Sequence, residues 1–176
     1  MSLSFYYVSA DYVRYLQAEE TNQRGFTHVP NVEYSQSHNQ KFVLGIILEM
    51  NGFDYYVPVS SYSIKRSDNI LINIDSDTVN PIKGSIRFNY MFPIPKGLAK
   101  ELIIKNESNS GRRSLLNKEW KFCIENEVKI RNKARQTYSK VINRVNESVA
   151  KNSCDFRLLE QACQTYINKQ IDITKE

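Results

Sequence analysis

Lys41, Ser60 and Ser61 are the residues of this chain best suited to handling a phosphate. Phe42–Met50 and Phe53–Val59 both have strand composition, and Asn51-Gly52 between them is a strong two-residue hairpin signal, because both central residues of such a turn take positive φ. Counting outward from that turn pairs Lys41 with roughly residue 62. The lysine and the Ser60–Ser63 segment then meet at the open end of the hairpin. A fixed cation, several hydroxyls and unpaired backbone N–H groups can grip a phosphate and stabilise charge that develops on it. Lys65 and Arg66 add positive charge immediately afterwards.

Other chemistries lack their residues. There is no phosphate-cradling glycine loop, no HExxH, no GxSxG and no carboxylate dyad at a useful spacing. His28 and His38 fall singly in a polar loop, where a histidine is usually solvated, and Asp75 and Asp77 flank a turn, where Asp serves local hydrogen bonding. Cys123, Cys154 and Cys163 are odd in number and lack paired spacing or a nearby His cluster. They predict free thiols in a reducing compartment, not a disulfide framework or a zinc site. No metal or cofactor is expected. The N-terminus has neither a basic nor a long apolar segment, and the apolar run Phe42–Leu48 is too short to span a bilayer. A cytoplasmic protein without membrane contact is the expectation.

The elements around these residues divide the chain. Leu3–Val8 predicts a strand, and Ser9 caps a short helix over Ala10–Gln17 with Tyr12, Val13 and Leu16 as its apolar stripe. Residues 19–40 read as one long loop. Phe42–Met50 is apolar almost throughout, as a strand buried on both faces would be; Ile70–Ile74 and Ser85–Phe92 supply two more strands. Leu98–Ile104 predicts a short helix. Helical spacing then runs over Arg112–Lys151, carried by Leu115, Leu116, Trp120, Cys123, Ile124 and Val128, with a break expected near Asn126 or Asn132. Ser153 or Asp155 caps a last helix through Tyr166. Strands first and helices last predict an α+β class: one domain over 1–176, with a β-rich core to residue 95, a helical part over 96–168 and a short tail.

The net charge of +5 points toward a polyanionic partner. It is concentrated: Arg112–Lys151 carries eleven Lys/Arg against four Asp/Glu, and the rest of the chain is slightly acidic. Eleven Tyr and eight Phe suit both sheet packing and base stacking.

At these same residues the chain resembles the ToxN/AbiQ endoribonucleases of type III toxin–antitoxin systems. The resemblance runs nearly end to end, through Phe5–Leu16, Lys41–Glu49 with Gly45-Ile46-Ile47-Leu48-Glu49 as its most recognisable stretch, Pro58-Val59-Ser60-Ser61, Ile86–Pro93 and Cys154–Glu160. It implies a twisted antiparallel sheet or half-barrel related to the MazF/Kid toxins, with surrounding helices. It also implies metal-independent RNA cleavage to 2′,3′-cyclic phosphate ends, in abortive infection against phage. The partners it implies are cellular or phage RNA substrates and a cognate repetitive antitoxin RNA, which the toxin processes and with which it forms closed, RNA-bridged assemblies. The family's catalytic lysine falls on Lys41 and its hydroxyl pair on Ser60 and Ser61. Two positions depart from the pattern. A lysine two residues after the pair is replaced by Ser63, leaving Lys65 to supply that charge. A tyrosine four residues before the catalytic lysine falls on Ser37, with Tyr34 and His38 as the nearby substitutes. RNA contacts are expected from Tyr62, Arg66, Arg112, Arg113, Lys118, Lys121, Arg131 and Lys133. The competing classes are a non-catalytic RNA- or DNA-binding module and a toxin with a protein target.

Overall fold

A computed structural model describes residues 2–32, 41–145 and 147–173. The elements run β1 (Ser4–Val8), α1 (Ala10–Arg24), β2 (Val43–Met50), β3 (Phe53–Ser60), β4 (Asn69–Asn73), β5 (Ile82–Arg87), β6 (Phe92–Pro93), β7 (Ala99–Glu101), α2 (Ser110–Glu125), α3 (Glu127–Ile142), α4 (Glu147–Lys151) and α5 (Phe156–Ile173). Single 3-10 turns cover Phe88–Tyr90 and Ile104–Asn106. All strand pairings are antiparallel, in the order β4-β5-β3-β2-β1-β7. The second edge of β3 is shared, with β6 against Tyr55 and Tyr56 and β5 against Val59 and Ser60. The class is α+β, as the order of elements predicts. No described helix is long and apolar enough to cross a membrane.

The Asn51-Gly52 turn forms as expected, with φ of 54° and 82°. Asn51 also anchors the turn, because its Nδ2 donates to Glu160 (3.1 Å) and to the Tyr138 hydroxyl (2.9 Å). The hydroxyls of Tyr55 (2.9 Å) and Tyr138 (2.7 Å) donate to the same buried Glu160 carboxylate. One carboxylate on α5 therefore holds the hairpin and α3 together. The helical half breaks at Asn126, one of the two expected positions. The α5 cap is Asp155, whose carboxylate accepts from Leu158 N–H (3.2 Å), while the Ser153 hydroxyl instead donates to Val149 O. Cys123, Cys154 and Cys163 are free and buried, and burial pushes all three thiols up.

Several expectations fail. Ser85–Phe92 is not one strand: β5 ends at Arg87, Phe88–Tyr90 form a 3-10 turn in which Met91 N–H donates to Phe88 O (3.3 Å), and β6 opens at Phe92. Helix α5 runs past Tyr166 to Ile173, through the start of the expected tail. Leu98–Ile104 is not a helix: Ala99–Glu101 pairs with β1, Ser9 N–H donates to Leu98 O (3.1 Å) and Leu102 N–H to Phe5 O (2.8 Å). The open edge of β1 offers that segment hydrogen bonds which outweigh its local helical preference. Helix α1 also continues seven residues past Gln17, to a left-handed cap at Gly25 whose N–H donates to Thr21 O (2.8 Å).

The polar extension of α1 is held by Glu20, which is fully buried. Its carboxylate accepts from Arg24 Nη1 (2.6 Å), Thr27 Oγ1 (2.7 Å), His28 N–H (2.7 Å) and Asp155 N–H (2.8 Å). Burial pushes this carboxyl up, but the bonds from Asp155, Thr27, His28 and Arg24 outweigh it and hold its pKa below the usual value. Arg24 bonds onward to Ser153 O (2.8 Å) and Ala150 O (3.2 Å). This network fixes the start of the loop after α1, whose residues Thr27–Val32 wall the cleft described next.

Candidate active site

The β2–β3 hairpin does set Lys41 beside the serine pair, through an irregular ladder. Leu44 pairs with Val57 and Leu48 with Tyr55, so Gly45–Ile47 on β2 spans the single residue Tyr56 on β3. This bulge moves the register by two residues. Val43 pairs with Pro58, Val59 N–H donates to Phe42 O (3.5 Å), and the next position sets Lys41 opposite Ser60, not Tyr62. Arg131 Nη1 donates to Ile46 O at the bulge (2.8 Å), and its guanidinium pairs with Glu127 (2.7 Å). Arg131, expected among the RNA contacts, is therefore tied into the architecture of the hairpin.

The two serines differ. Ser60 Oγ accepts from Tyr62 N–H (3.3 Å) and closes the turn that follows β3. Ser61 is exposed and makes no side-chain hydrogen bond among the described residues, so its hydroxyl is available to a ligand. On the other side Ser60 pairs with Ser85, and β5 approaches so closely that a Cβ on Gly84 would lie 2.3 Å from Ser60 O. Only glycine lets β5 lie there.

Lys41, Ser60 and Ser61 open into a cleft of about 620 Å³, walled by Thr27–Val32, by Lys83, Arg87 and Tyr90, and by Arg112, Leu115, Leu116 and Glu119 of α2. Four cations line it. Lys83 is salt-bridged to Asp77, and Arg112 pairs with Glu107 (3.3 Å) and donates to the Tyr7 hydroxyl (3.4 Å). The Arg87 guanidinium lies between the rings of Tyr90 (4.3 Å) and Tyr62 (4.7 Å). Tyr90 stacks on His28 (5.6 Å), whose Nε2 is 2.8 Å from Lys151 O. His28 is thus packed into the wall instead of standing free in solvent.

Glu119 is a carboxylate of this cleft wall that no motif of the sequence marks. It is 6% exposed and has no hydrogen bond or ion pair among the described residues. Burial pushes its carboxyl up to about 7 against the lowering pull of Arg112. The buried line of α2 is Leu116, Glu119 and Cys123, whereas Leu115 and Trp120 are 36% and 38% exposed. The signal was the spacing of Arg112, Leu116 and Glu119 on one helical face, hidden by an apolar stripe that straddles it.

The ridge of Tyr62, Arg87 and Tyr90 separates this cleft from a basic groove of about 510 Å³ that also takes in Arg66, Lys133 and Lys140. Arg66 Nε donates to the Tyr62 hydroxyl (3.0 Å). Burial, with Lys140 and Lys65 nearby, pulls Lys133 below the usual lysine value. Lys65 faces this side, its Nζ donating to Asn69 O (2.8 Å). Neither Lys65 nor Ser63 lines the cleft with Lys41. Arg113 is directed to Glu107 O (3.0 Å); Lys118 is exposed, and Lys121 is loosely paired with Glu125 (3.8 Å). Tyr34 and His38 lie outside the described residues. Among the described residues, no three His, Cys, Asp or Glu gather to hold a metal ion.

Known proteins resemble this chain over nearly its whole length. The endoribonuclease AbiQ of Lactococcus lactis subsp. lactis is 26% identical, the match covering 96% of this chain and 92% of that protein. The endoribonuclease ToxN of Bacillus thuringiensis subsp. kurstaki is 28% identical, over 98% and 87%. A solved structure from a bacterial antiviral system regulated by a processed non-coding RNA superposes with a TM-score of 0.78 at 26% identity, over 92% of this chain and 97% of that one. The family model of the toxin ToxN of type III toxin–antitoxin systems matches residues 4–164, so the chain belongs to that family.

Proposed function

We propose that this chain is an endoribonuclease toxin of a type III toxin–antitoxin system acting in abortive phage infection. It cleaves RNA without a metal ion, by attack of a 2′-hydroxyl on its own 3′-phosphate, and leaves 2′,3′-cyclic phosphate ends. A cognate repetitive antitoxin RNA, which it processes, holds it inactive in an RNA-bridged assembly. The observation that carries this reading is Lys41 set opposite Ser60, beside Ser61, whose hydroxyl has no partner among the described residues, at the mouth of a cation-lined cleft. Such a reaction needs alignment of the attack and stabilisation of charge on the phosphoryl oxygens. Lys41 supplies the charge and a proton for the leaving oxygen, Ser61 orients the phosphate, and Ser60 holds the turn that presents Ser61. The likeness to AbiQ and ToxN, both endoribonucleases, supports the activity, and the structure regulated by a processed non-coding RNA supports the partner.

Incubation of the purified protein with single-stranded RNA in EDTA tests this reading. Cyclic phosphate ends are expected; intact RNA of retarded mobility points instead to a binding module. Gly84→Ala gives a second test. A Cβ 2.3 Å from Ser60 O forces β5 and the serine pair apart. Cleavage should fall about 100-fold, while the melting temperature falls by only about 5 °C, as for a cost of one to three kcal/mol.

The groove beyond the Tyr62–Arg87–Tyr90 ridge continues the RNA path. Lys133 crowded by Lys65 and Lys140 is a cluster that a phosphate relieves. Lys133→Ala and Lys140→Ala should each reduce the salt dependence of RNA binding by about one unit of logarithmic slope. Salt titrations of affinity for an uncleavable RNA check this, and unchanged slopes would remove the groove from the path.

A further inference from the structure

We propose that Glu119 is the general base of the cleavage reaction, taking the proton from the attacking 2′-hydroxyl. This rests on the endoribonuclease reading above. Glu119 is a nearly buried carboxyl in the wall of the cleft that Lys41, Ser60 and Ser61 open into. No described donor holds it, unlike Glu20, which accepts from four or more groups, and Glu160, which accepts from three. A buried, unpartnered carboxyl is costly to keep unless it serves the site. Glu119 shares the cleft with cations, hydroxyls and an apolar wall that includes Leu115 and Leu116, and is the single carboxylate among the described residues that line it.

The charged and titratable groups around it are few. Arg112, paired with Glu107 and bonded to the Tyr7 hydroxyl, and Cys123 lie on its own helix; elsewhere in the cleft stand Lys41, Lys83, Arg87, Tyr90 and His28. Of the elements packed on α2, β4 carries no ionisable side chain, the 3-10 turn brings Lys105, and the α3 junction holds Glu127 and Arg131 already paired. Desolvation by this apolar wall places its titration near 7, where a base both accepts a proton readily and is half ionised.

The step balances. The Glu119 carboxylate takes the 2′-hydroxyl proton as the 2′-oxygen forms its bond to phosphorus. The bond from phosphorus to the 5′-oxygen breaks, its electron pair goes to that oxygen, and the Lys41 ammonium supplies the proton. Exchange with water returns both groups to their starting states.

The test is the pH dependence of single-turnover cleavage of single-stranded RNA, from pH 5 to 9 in EDTA. The full-length protein is compared with Glu119→Gln and Glu119→Asp, with RNA affinity measured in parallel. The wild-type rate should rise tenfold per pH unit below about 7 and level above it. Glu119→Gln should lose about 10²- to 10⁴-fold in rate, keep its RNA affinity and lose the acidic limb. Glu119→Asp should keep the limb at a reduced rate. Glu119→Gln with the wild-type limb, at any rate, shows a positioning role and overturns the proposal. So does a wild-type rate that is flat across this range, a result that holds even if the Gln variant fails to fold. RNA left intact by the wild type overturns the endoribonuclease reading itself.

Discussion

Lys41→Ala and Ser61→Ala are each expected to lower single-turnover RNA cleavage by about 10²- to 10³-fold, the loss seen when one preorganised donor to a developing oxyanion is removed. Lys41 is exposed and makes no ion pair among the described residues, so its removal leaves no buried partner and stability should be unchanged. RNA affinity should shift only a few-fold, since the remaining cations of the cleft and groove still hold the backbone. Ser60→Ala should act differently. Its hydroxyl closes the turn after β3 by accepting Tyr62 N–H, so the loss should be smaller and accompanied by a small drop in melting temperature. The Lys41, Ser61 double variant should cost less than the product of the single losses if the two groups act on one phosphate. Wild-type rates in both single variants would place the chemistry elsewhere.

Glu20→Ala should be the most destabilising single change, by about 3–5 kcal/mol, because it leaves the mostly buried Arg24 without its carboxylate and strips the acceptor from His28 and Asp155 N–H. For a chain of this size that is a fall of about 10 °C or more in melting temperature. Cleavage should fall with it, because the same carboxylate pins the Thr27–Val32 wall. Glu20 also predicts acid sensitivity. Its pKa is lower folded than unfolded, so its contribution is complete above the ordinary carboxylate value and is lost as pH falls through the depressed one. Stability of the wild type should therefore drop at acid pH more steeply than that of Glu20→Gln. Equal acid limbs in thermal melts would remove Glu20 from that role.

Local chemistry alone made much of the fold readable. Asn51-Gly52 closes a two-residue hairpin, and closing it brings the strand end at Lys41 near the Ser60–Ser63 segment. The near-continuous apolar run of β2 marked a central strand, the helix break fell at an expected Asn126, and the odd cysteines are free. Other features depend on groups far apart in sequence. The segment at Leu98 became a strand because the edge of β1 was open to it. The seven added residues of α1 depend on a carboxylate that bonds to Asp155, 135 positions away. Lys41 faces Ser60 because of a bulge whose carbonyl is gripped by Arg131, 85 residues on. Arg131 looks like an RNA-facing cation in the sequence and Lys65 like a supporting charge for the site, yet Arg131 is tied into the hairpin and Lys65 turns to Asn69. Glu119 carries no mark in the sequence, yet it is buried in the cleft wall. Charge and periodicity show which residues can reach water or a core. Which of the two each polar side chain meets depends on the partner that packing brings to it. That Lys41 meets Ser60 and Ser61 at one strand end could therefore be read from the sequence; that Glu119 lines the same cleft could not.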